Sequence, residues 1–213
     1  AYSTKSSSGQ FHRLRLSDGT WQQLAGGPAM QGVNLAVYDG KIYRAGGMEA
    51  LNKPDEKQDL HSVADCERFD PATGKWEALP PLPGPRSSHD VVVLNGKLIM
   101  VGGWTLDGSS AKAKWIDSMA VLDLKAVHPE WRHVAQPFRR RAIIATAFEG
   151  KMYVIGGLND QAKTDHDVYI YDPKTGAWSE GPELPGAQLN GFSPAACVHA
   201  GALYVSVADG TLY

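Results

Sequence analysis

Two arginines stand at matching places in this sequence and could bind carboxylate groups. Arg86 and Arg140 each precede the first residue of a glycine pair by 16 positions (102 − 86 and 156 − 140). A guanidinium group presents paired donors that match the geometry of a carboxylate. Two further positions match by the same count, and they hold other residues, Met30 and Gly191. The set of arginines is therefore incomplete, which favours a structural role in which they bond loop carbonyls.

His89 and Asp90 are adjacent and, together with Arg86, form the pattern closest to an active site. An imidazole beside a carboxylate can move protons when a further group orients it, and the sequence names no such group. The run Asp165–Asp167 could bind a cation, although a polar loop edge is the favoured interpretation. The sequence lacks the motifs of nucleophilic serines, phosphate-binding loops and cysteine metal clusters. We therefore expect no metal and no cofactor, and enzymatic activity stays uncertain, with a non-enzyme favoured.

Aromatic and basic residues indicate a second kind of chemistry, the recognition of a partner. Trp104 and Trp115 lie in a predicted loop, and exposed aromatic residues on loops are good anchors for a bound protein. For Trp115, packing beneath its own loop is an equal alternative. The run Arg139–Arg141 is a basic cluster, yet neighbouring residues of a strand point to opposite faces. A solvated surface is therefore favoured over a phosphate or acidic-peptide site.

The composition is that of a folded protein with a nearly balanced charge. Of the 213 residues, 43% are hydrophobic, and the formal net charge is −2. This hydrophobic content supports a packed core, and the charge gives no reason to expect nucleic acid or an anionic membrane as a partner. No apolar run approaches the roughly 20 residues that cross a bilayer. We expect a soluble chain, and its compartment is unknown.

The two cysteines, Cys66 and Cys197, fall at unrelated places in the sequence. A disulfide between them is possible, but small buried apolar residues are the favoured interpretation. The chain begins with Ala1 and has no apolar segment of the signal type. This start fits either a processed exported protein or a piece of a longer chain.

A repeated phrase positions these residues: an apolar strand that ends in a glycine pair. The pairs are Gly46-Gly47, Gly102-Gly103 and Gly156-Gly157, separated by 56 and 54 residues (102 − 46 and 156 − 102). A tryptophan also recurs along the chain, at Trp21, Trp76, Trp131 and Trp178. Its intervals of 55, 55 and 47 residues (76 − 21, 131 − 76 and 178 − 131) are similar to those of the glycine pairs. A period of this size predicts a row or ring of similar small units.

Each repeat predicts four antiparallel strands. Alternating apolar and polar residues flank dipeptides such as Asp39-Gly40, the pattern of a β-hairpin, and no window has the apolar spacing of a helix. The segments after the first two glycine pairs, 48–61 and 104–116, are predicted as loops. The predicted parts of one all-β domain, residues 1–213, are three complete repeats (28–79, 84–134 and 138–182), a leading strand pair (10–24) and a trailing strand pair (190–213). In the trailing pair, Val207-Ala208 stands where the glycine pair is expected.

These marks resemble the kelch repeat, as found in short bacterial kelch proteins. The resemblance rests on the glycine pairs, on the recurring tryptophan and on two turn phrases, Phe69-Asp70-Pro71 and Tyr171-Asp172-Pro173. The second repeat keeps Asp123 of that phrase. The family implies a β-propeller, in which each repeat is a blade and blades pack around a channel. In that fold the glycines allow sharp turns where blades crowd, and the tryptophans fill the wedge between blades.

The resemblance also implies how the ends of the chain combine. The leading strands correspond to the outer half of a blade and the trailing strands to the inner half. Joined, they would make a fourth blade and close a monomeric ring. Two alternatives stay open: a homodimer in which two chains exchange half-blades, and an arc that belongs to a larger propeller.

Recognition of a protein or peptide at the mouth of the channel is the function that the resemblance implies. The residues predicted for that surface are Arg86, His89, Trp104, Arg140 and Asn190. Some bacterial kelch proteins act on sialic acids as mutarotases, so the alternative is a sugar-handling enzyme in which an arginine clamps the sugar carboxylate. A third reading is an assembly element that closes a multi-chain propeller through its blade edges.

Overall fold

The repeated phrase folds into antiparallel sheets, as the computed structural model of residues 7–53 and 56–213 shows. Residues 1–6 of the predicted domain and residues 54–55 of the first predicted loop lie outside the described residues. The internal contacts divide the chain into unit 1 (Ala1–Ser87 and Leu106–Ala113) and unit 2 (Ser88–Thr105 and Lys114–Tyr213). The prediction of a single domain over residues 1–213 stays a prediction.

Unit 1 is built on one four-stranded antiparallel sheet, sheet 1. The strands that begin in this unit are β1 (Phe11–Arg15), β2 (Thr20–Leu24), β3 (Leu35–Tyr38), β4 (Lys41–Ala45), β5 (Met48–Ala50), β6 (Leu60–Ser62), β7 (Cys66–Asp70) and β8 (Lys75–Ala78). Sheet 1 has the strand order β3-β4-β7-β8. The hairpin β1–β2 is a two-stranded sheet, and β5 pairs with β6. All of these pairs are antiparallel, as the sequence predicts.

Unit 2 holds two four-stranded antiparallel sheets. The strands that begin there are β9 (Asp90–Leu94), β10 (Lys97–Val101), β11 (Trp104–Trp115), β12 (Ser118–Asp123), β13 (Trp131–Ala135), β14 (Arg140–Arg141), β15 (Ile144–Phe148), β16 (Lys151–Ile155), β17 (Leu158–Asn159), β18 (Val168–Asp172), β19 (Ala177–Glu180), β20 (Ala195–His199) and β21 (Ala202–Ser206). Sheet 2 has the order β9-β10-β12-β13, and sheet 3 the order β15-β16-β18-β19. A short 3-10 helix, Gln188–Gly191, precedes β20 and is absent from the sequence prediction.

The first turn of each sheet needs two successive residues with positive φ. Asp39 and Gly40 have φ of 48° and 69°, and Glu149 and Gly150 have φ of 49° and 74°. This is the backbone of a type I′ turn, whose twist matches that of the paired strands. The dipeptides that predict hairpins in the sequence therefore stand at hairpin turns in the structure.

The second glycine of each pair links one repeat to the next. Its N–H group donates to a backbone carbonyl in the following repeat, with the pairs Gly47 to Arg86 (2.8 Å), Gly103 to Arg140 (2.7 Å) and Gly157 to Gly191 (2.7 Å). The first glycine of the third pair is constrained as well. Gly156 has a φ of 65°, and a Cβ atom at this position would lie 2.5 Å from the carbonyl oxygen of Gly191. A side chain is therefore excluded both by the backbone conformation and by the close approach.

Two of the repeat tryptophans bond to the strand pair that precedes their own sheet. The Nε1 group of Trp76 donates to the carbonyl oxygen of Ala25 at 2.8 Å, and that of Trp178 donates to Ala135 at 3.0 Å. Each acceptor lies four residues after the preceding tryptophan (25 − 21 and 135 − 131). Trp21 differs from both, since 68% of it is exposed, contrary to the predicted wedge-filling role.

Sheets 2 and 3 pack against each other within unit 2. The buried side chains between them include Val92, Ile99, Val101 and Met119 of sheet 2 with Ala145, Met152 and Val154 of sheet 3. A buried carboxylate crosses the same junction. Oδ2 of Asp90 accepts the backbone N–H of Ala145 at 2.5 Å, and Oδ1 accepts that of Val91 at 2.8 Å. The inner strands β9 and β15 are thus joined by a side chain as well as by apolar packing.

A second apolar cluster joins sheet 3 to the hairpin β20–β21. Its buried members are Ile155, Val168, Leu184, Val205 and Val207. Val207 stands where the glycine pair is missing from the sequence, and its side chain fills this cluster. The position at which the glycine pair is missing therefore contributes a buried apolar side chain to the core.

Two segments that the sequence predicts as loops are partly strands. β5 lies within residues 48–61, β6 begins there and ends at Ser62, and β11 covers most of residues 104–116. β11 doubles back on itself, because the rings of Trp104 and Trp115 are 5.5 Å apart whereas a straight strand of this length would separate its ends by roughly 36 Å. In unit 1, Asp107 and Gly108 near its tip pair with β6. The loop prediction is wrong here because β11 is largely exposed and so lacks the apolar alternation of a half-buried strand.

The two terminal hairpins, β1–β2 and β20–β21, are separate two-stranded sheets. Tyr213 and Val205 exchange two backbone hydrogen bonds, at 2.9 and 3.0 Å, on the edge of β21 that faces away from β20. The predicted fourth blade needs that same edge for β1. The shared blade stays a prediction, and it would have to displace this pairing.

The cysteines are free thiols, and they have different surroundings. Cys66 is buried, as expected for a small apolar residue, and burial raises the pKa of its thiol to about 12. Cys197 is exposed, contrary to the expectation of burial. No disulfide joins them in the described part of the chain.

Candidate functional site

A cleft with a volume of about 420 Å³ opens in unit 2 between the segment that follows sheet 2 and the loop that precedes β18. The side chains and backbone that line it belong to Asp117, Gln136, Pro137, Phe138, Arg139, Arg140, Asn159, Asp160, Asp165 and Tyr169. This size suits one or two side chains of a bound segment. Of the predicted site residues, Arg140 is among those that line the cleft.

Arg140 is a fixed cation in the wall of the cleft. Only 3% of it is exposed. Its Nε donates to Oδ2 of Asp165 at 2.9 Å, and its Nη2 donates to Oδ2 of Asp167 at 2.6 Å. Its Nη1 donates to the carbonyl oxygen of Asp167 at 3.2 Å, and the guanidinium carbon lies 5.1 Å from the ring centre of Tyr169. All three nitrogens therefore have acceptors within the protein, as in the structural role weighed from the sequence.

Arg139 lies beside the same cleft and is far more accessible. Its side chain is 53% exposed, and its guanidinium group contacts Oδ2 of Asp117 at 3.0 Å and Oδ2 of Asp160 at 4.0 Å. The hydrogen bond from Arg139 holds the pKa of the Asp117 carboxyl below its ordinary value, and the small degree of burial opposes this shift. Arg139 thus bridges two carboxylates that come from different loops.

Arg141 completes the basic run and takes a third direction. Its guanidinium carbon lies 4.1 Å from the ring centre of Trp104, a cation–π contact. Trp115 packs on Trp104 from within the same doubled-back strand. The Nε1 group of Trp104 is buried and has no hydrogen-bond partner among the described residues. The three arginines do not act as one basic patch, and Trp104 is a packed residue here rather than an exposed anchor.

Arg86 belongs to unit 1 and is buried. Desolvation lowers the pKa of its guanidinium to about 10. Its backbone is also engaged, since its N–H donates to Val63 at 3.0 Å and its carbonyl accepts the N–H of Gly47 at 2.8 Å. Arg86 is therefore a buried residue at the junction between repeats. Its burial and backbone bonds do not support the role of an exposed carboxylate-binding group.

His89 and Asp90 do not form an open acid–base pair. Both residues are buried. The two carboxylate oxygens of Asp90 accept backbone N–H groups of Val91 and Ala145. The carboxylate is thus committed to joining strands β9 and β15, which a sequence pattern of adjacent titratable residues does not reveal.

Asn190 is buried in the 3-10 helix and is not among the residues that line the cleft. Its Nδ2 donates to Oδ2 of Asp209 at 2.8 Å. This bond, together with those from Thr211, holds the pKa of the Asp209 carboxyl below its ordinary value. Its Oδ1 is buried and lacks a hydrogen-bond partner within residues 7–53 and 56–213. Asn190 therefore ties the helix to the last turn of the chain.

The acidic residues of the cleft are the part that the sequence-based site prediction misses. The signal available was the run Asp165–Asp167, noted as a possible cation site. Residues two apart in extended chain share a face, and Asp165 and Asp167 both contact Arg140. His166 points elsewhere, with its Nδ1 2.6 Å from the carbonyl oxygen of Leu184. Within the described residues, no group of three His, Cys, Asp or Glu side chains has the arrangement of a metal site.

The charges around the cleft do not balance. The cations are Arg139 and Arg140, and the anions that contact them are Asp117, Asp160, Asp165 and Asp167. Two positive and four negative groups give a formal local charge of 2 − 4 = −2. Two further positive charges would be needed to neutralise this group of residues.

Comparison with known proteins places this architecture in a family. A family model for the Kelch motif matches residues 30–83 and 140–185. The chain belongs to the kelch-repeat family. Kelch-like protein 35 of Mus musculus is 31% identical over 71% of this chain and 23% of its own length. Kelch repeat and BTB domain-containing protein 12 of Danio rerio is 27% identical over 92% of this chain and 31% of its own length.

The kelch fold is also seen in a solved structure. The structure of YjhT superimposes with a TM-score of 0.75 and 16% sequence identity, covering 93% of this chain and 66% of that protein. Together with the repeats, this likeness shows a fold of the kelch propeller type. The chain spans less than half the length of the curated relatives it matches, 23% and 31% for the two named above. Among the described residues, no helix is long and apolar enough to span a membrane.

Proposed function

We propose that this kelch chain is a recognition module whose cleft in unit 2 binds a segment of a partner protein. Kelch repeats commonly serve as scaffolds for protein interaction. The single observation that carries the proposal is the cleft of about 420 Å³ beside Arg140. A concave site with a few fixed polar groups is the usual form of a binding site.

The walls of the cleft are preorganised for binding. Arg140 is held by Asp165 and Asp167 and packs against the rings of Phe138 and Tyr169. Gln136 is held as well, since its Nε2 donates to the carbonyl oxygens of Ile116 and Phe138 at 3.0 Å. Side chains fixed in this way lose little conformational entropy when a partner binds.

The sugar-handling alternative gains no support from these contacts. It requires a guanidinium group with donors available to a sugar carboxylate. The nitrogens of Arg140 already have acceptors, and Arg86 is buried in unit 1. A carboxylate ligand at Arg140 would have to replace Asp165 or Asp167.

A peptide library displayed on phage and selected against the folded chain tests the proposal. Enriched peptides are then measured against Asp160→Tyr, which places a ring over the cleft at a residue that is 40% exposed. We expect this variant to lose binding by at least about tenfold, because the ring occupies the volume of the ligand. Glu183→Tyr, the same kind of change at an exposed residue that does not line the cleft, is the matched control. Equal binding by Asp160→Tyr and the parent would refute the assignment of the cleft.

The oligomeric state is a separate proposal. We take the chain as a monomer, with the homodimer that exchanges half-blades as the alternative. Light scattering after gel filtration distinguishes a species of 23.0 kDa from one of twice that mass.

A further inference from the structure

We infer that the cleft selects a cationic side chain of its partner, and that Arg139 is a built-in competitor for the same carboxylates. The inference rests on the proposed function, which it deepens by naming the chemistry of the ligand. Three observations support it: the volume of the cleft, the imbalance of charge around it, and the contacts of Arg139 with both Asp117 and Asp160.

The local charge of −2 sets the sign of the preferred ligand. Asp165 and Asp167 are engaged by the buried Arg140, which is a permanent part of the wall. Asp117 and Asp160 remain, and their side chains are 63% and 40% exposed. An anionic ligand would approach the three carboxylates that line the cleft, those of Asp117, Asp160 and Asp165. A cation would be attracted by the potential that they create.

Arg139 already shows the contact that such a cation would make. Its guanidinium group lies 3.0 Å from the carboxylate of Asp117 and 4.0 Å from that of Asp160, and both of these residues line the cleft. The second distance is at the limit of an ion pair, so the bridge is unevenly formed. An incoming arginine or lysine that reaches both carboxylates would replace it.

Displacement of Arg139 is cheap because the pair is exposed. Ion pairs between solvent-exposed side chains contribute little to stability, and Arg139 is half exposed while Arg140 is almost fully buried. Its side chain can therefore turn into solvent without leaving a buried charge behind. Tyr169, which is half-buried in the wall, provides apolar surface for the stem of a bound arginine or lysine.

A matched pair of capped tripeptides tests the inference, acetyl-Gly-Arg-Gly-amide and acetyl-Gly-Glu-Gly-amide. Each is titrated at low ionic strength into the ¹⁵N-labelled chain, and amide shifts are followed by NMR. We expect the arginine peptide to shift the amides of the cleft, and the glutamate peptide to leave them unchanged. No shift with the arginine peptide at millimolar concentration overturns the inference.

The decisive variant is Arg139→Ala, which removes the competitor. We expect the affinity for the arginine peptide to rise about two- to fivefold, the range set by an exposed ion pair. A simple loss of wall contacts would lower the affinity instead. Adding Asp160→Asn to Arg139→Ala should reverse the gain, because one of the two carboxylates is then neutral.

Arg13→Ala is the control for a change in net charge. Arg13 is exposed, bonds to Gln22 in β2 and does not line the cleft. A gain in affinity that is equal in Arg13→Ala and Arg139→Ala refutes the competitor role. Peptides from the library that need the cleft but carry no arginine or lysine refute the cationic selectivity and leave the proposed function standing. A library without any cleft-dependent peptide refutes both.

Discussion

The indole N–H of Trp178 in sheet 3 donates to the carbonyl oxygen of Ala135, 3.0 Å away at the end of sheet 2. The same relation recurs in unit 1 between Trp76 and Ala25 at 2.8 Å. A tryptophan at this position therefore combines two effects, apolar packing and a hydrogen bond across the junction. At these two positions the indole N–H supplies a hydrogen bond that phenylalanine could not make.

Replacing Trp178 by phenylalanine keeps the ring and removes the donor. We expect a loss of about 1–2 kcal/mol in the free energy of unfolding, because the carbonyl of Ala135 loses its partner and some apolar area is lost. Urea unfolding followed by circular dichroism measures the change. Trp21→Phe is the control, since Trp21 is 68% exposed and should change stability by less than about 0.5 kcal/mol. Equal losses in the two variants would contradict the hydrogen-bond assignment.

Gly156→Ala tests the crowding at the glycine pair. Alanine at a φ of 65° costs about 1 kcal/mol, and its Cβ would lie 2.5 Å from the carbonyl oxygen of Gly191. We expect a total loss above about 3 kcal/mol in the free energy of unfolding. Denaturant titration of the purified variant gives this value.

Gly150→Ala separates the two costs. Gly150 has a φ of 74°, and no described heavy atom lies within 4 Å of a Cβ built there. Its variant should lose only about 1 kcal/mol, the conformational part. A similar loss for both glycines would show that the approach to Gly191 is not a constraint.

Asp90→Asn tests the buried carboxylate between β9 and β15. The amide places an N–H₂ group against one of the two backbone donors, Val91 or Ala145, so one hydrogen bond is lost. We expect a loss of about 2 kcal/mol in the free energy of unfolding. The control is Asp39→Asn, at a turn residue with a φ of 48° where asparagine is well accepted. The free energy of unfolding of Asp39→Asn should stay within about 0.5 kcal/mol of the parent. An equally small change in Asp90→Asn would contradict the role of the Asp90 carboxylate.

The link between Arg139 and Asp117 predicts a pH dependence. The pKa of Asp117 is held below its ordinary value of 3.8 chiefly by the hydrogen bond from Arg139. A carboxyl whose pKa is lower in the folded state contributes stability above its unfolded pKa, and this is lost as the pH falls through the folded pKa. Arg139→Ala should raise the pKa of Asp117 towards 3.8. Carbon-13 NMR titration of the side-chain carboxyl measures it, and an unchanged value would mean that the ion pair does not persist in solution.

The two thiols should react at different stages of unfolding. Cys197 is exposed, whereas Cys66 is buried and burial raises the pKa of its thiol to about 12. A thiol reagent added to the native chain should modify Cys197 alone, with Cys66 following in denaturant, because the thiolate is the reactive form. Cys197→Ser should then show no reaction before unfolding. Rapid native reaction in that variant would place Cys66 at the surface.

The sequence predicts strands well where apolar runs are bounded on both sides. β4, β10 and β16 each end at a glycine pair, as the repeated phrase predicts, because a turn glycine precedes each run and a glycine pair follows it. β11 escapes prediction because most of its residues are exposed on both faces and so carry no alternation. The 3-10 helix Gln188–Gly191 is a single turn, too short for a helical period to be visible.

The site is harder to predict than the strands. Counting from the glycine pairs identifies Arg140 as a special position, and it does line the cleft. Counting does not predict that the guanidinium group of Arg140 pairs with Asp165 and Asp167. These residues follow it by 25 and 27 positions (165 − 140 and 167 − 140). The sequence also shows Arg139 only as one member of a basic run. In the structure its side chain pairs with Asp117, which comes from a different loop. Which loops meet is a property of the folded chain.

The residue that accepts the N–H of the second glycine does so with its backbone carbonyl oxygen. In the three described cases that residue is Arg86, Arg140 and Gly191. Every amino acid supplies such a carbonyl, so this hydrogen bond does not itself select a side chain. At position 191 glycine is required for another reason, because a Cβ atom there would lie 2.1 Å from the carbonyl oxygen of Asp165. The ion pairs of Arg140 with Asp165 and Asp167 thus come from side-chain atoms that the junction between repeats does not use.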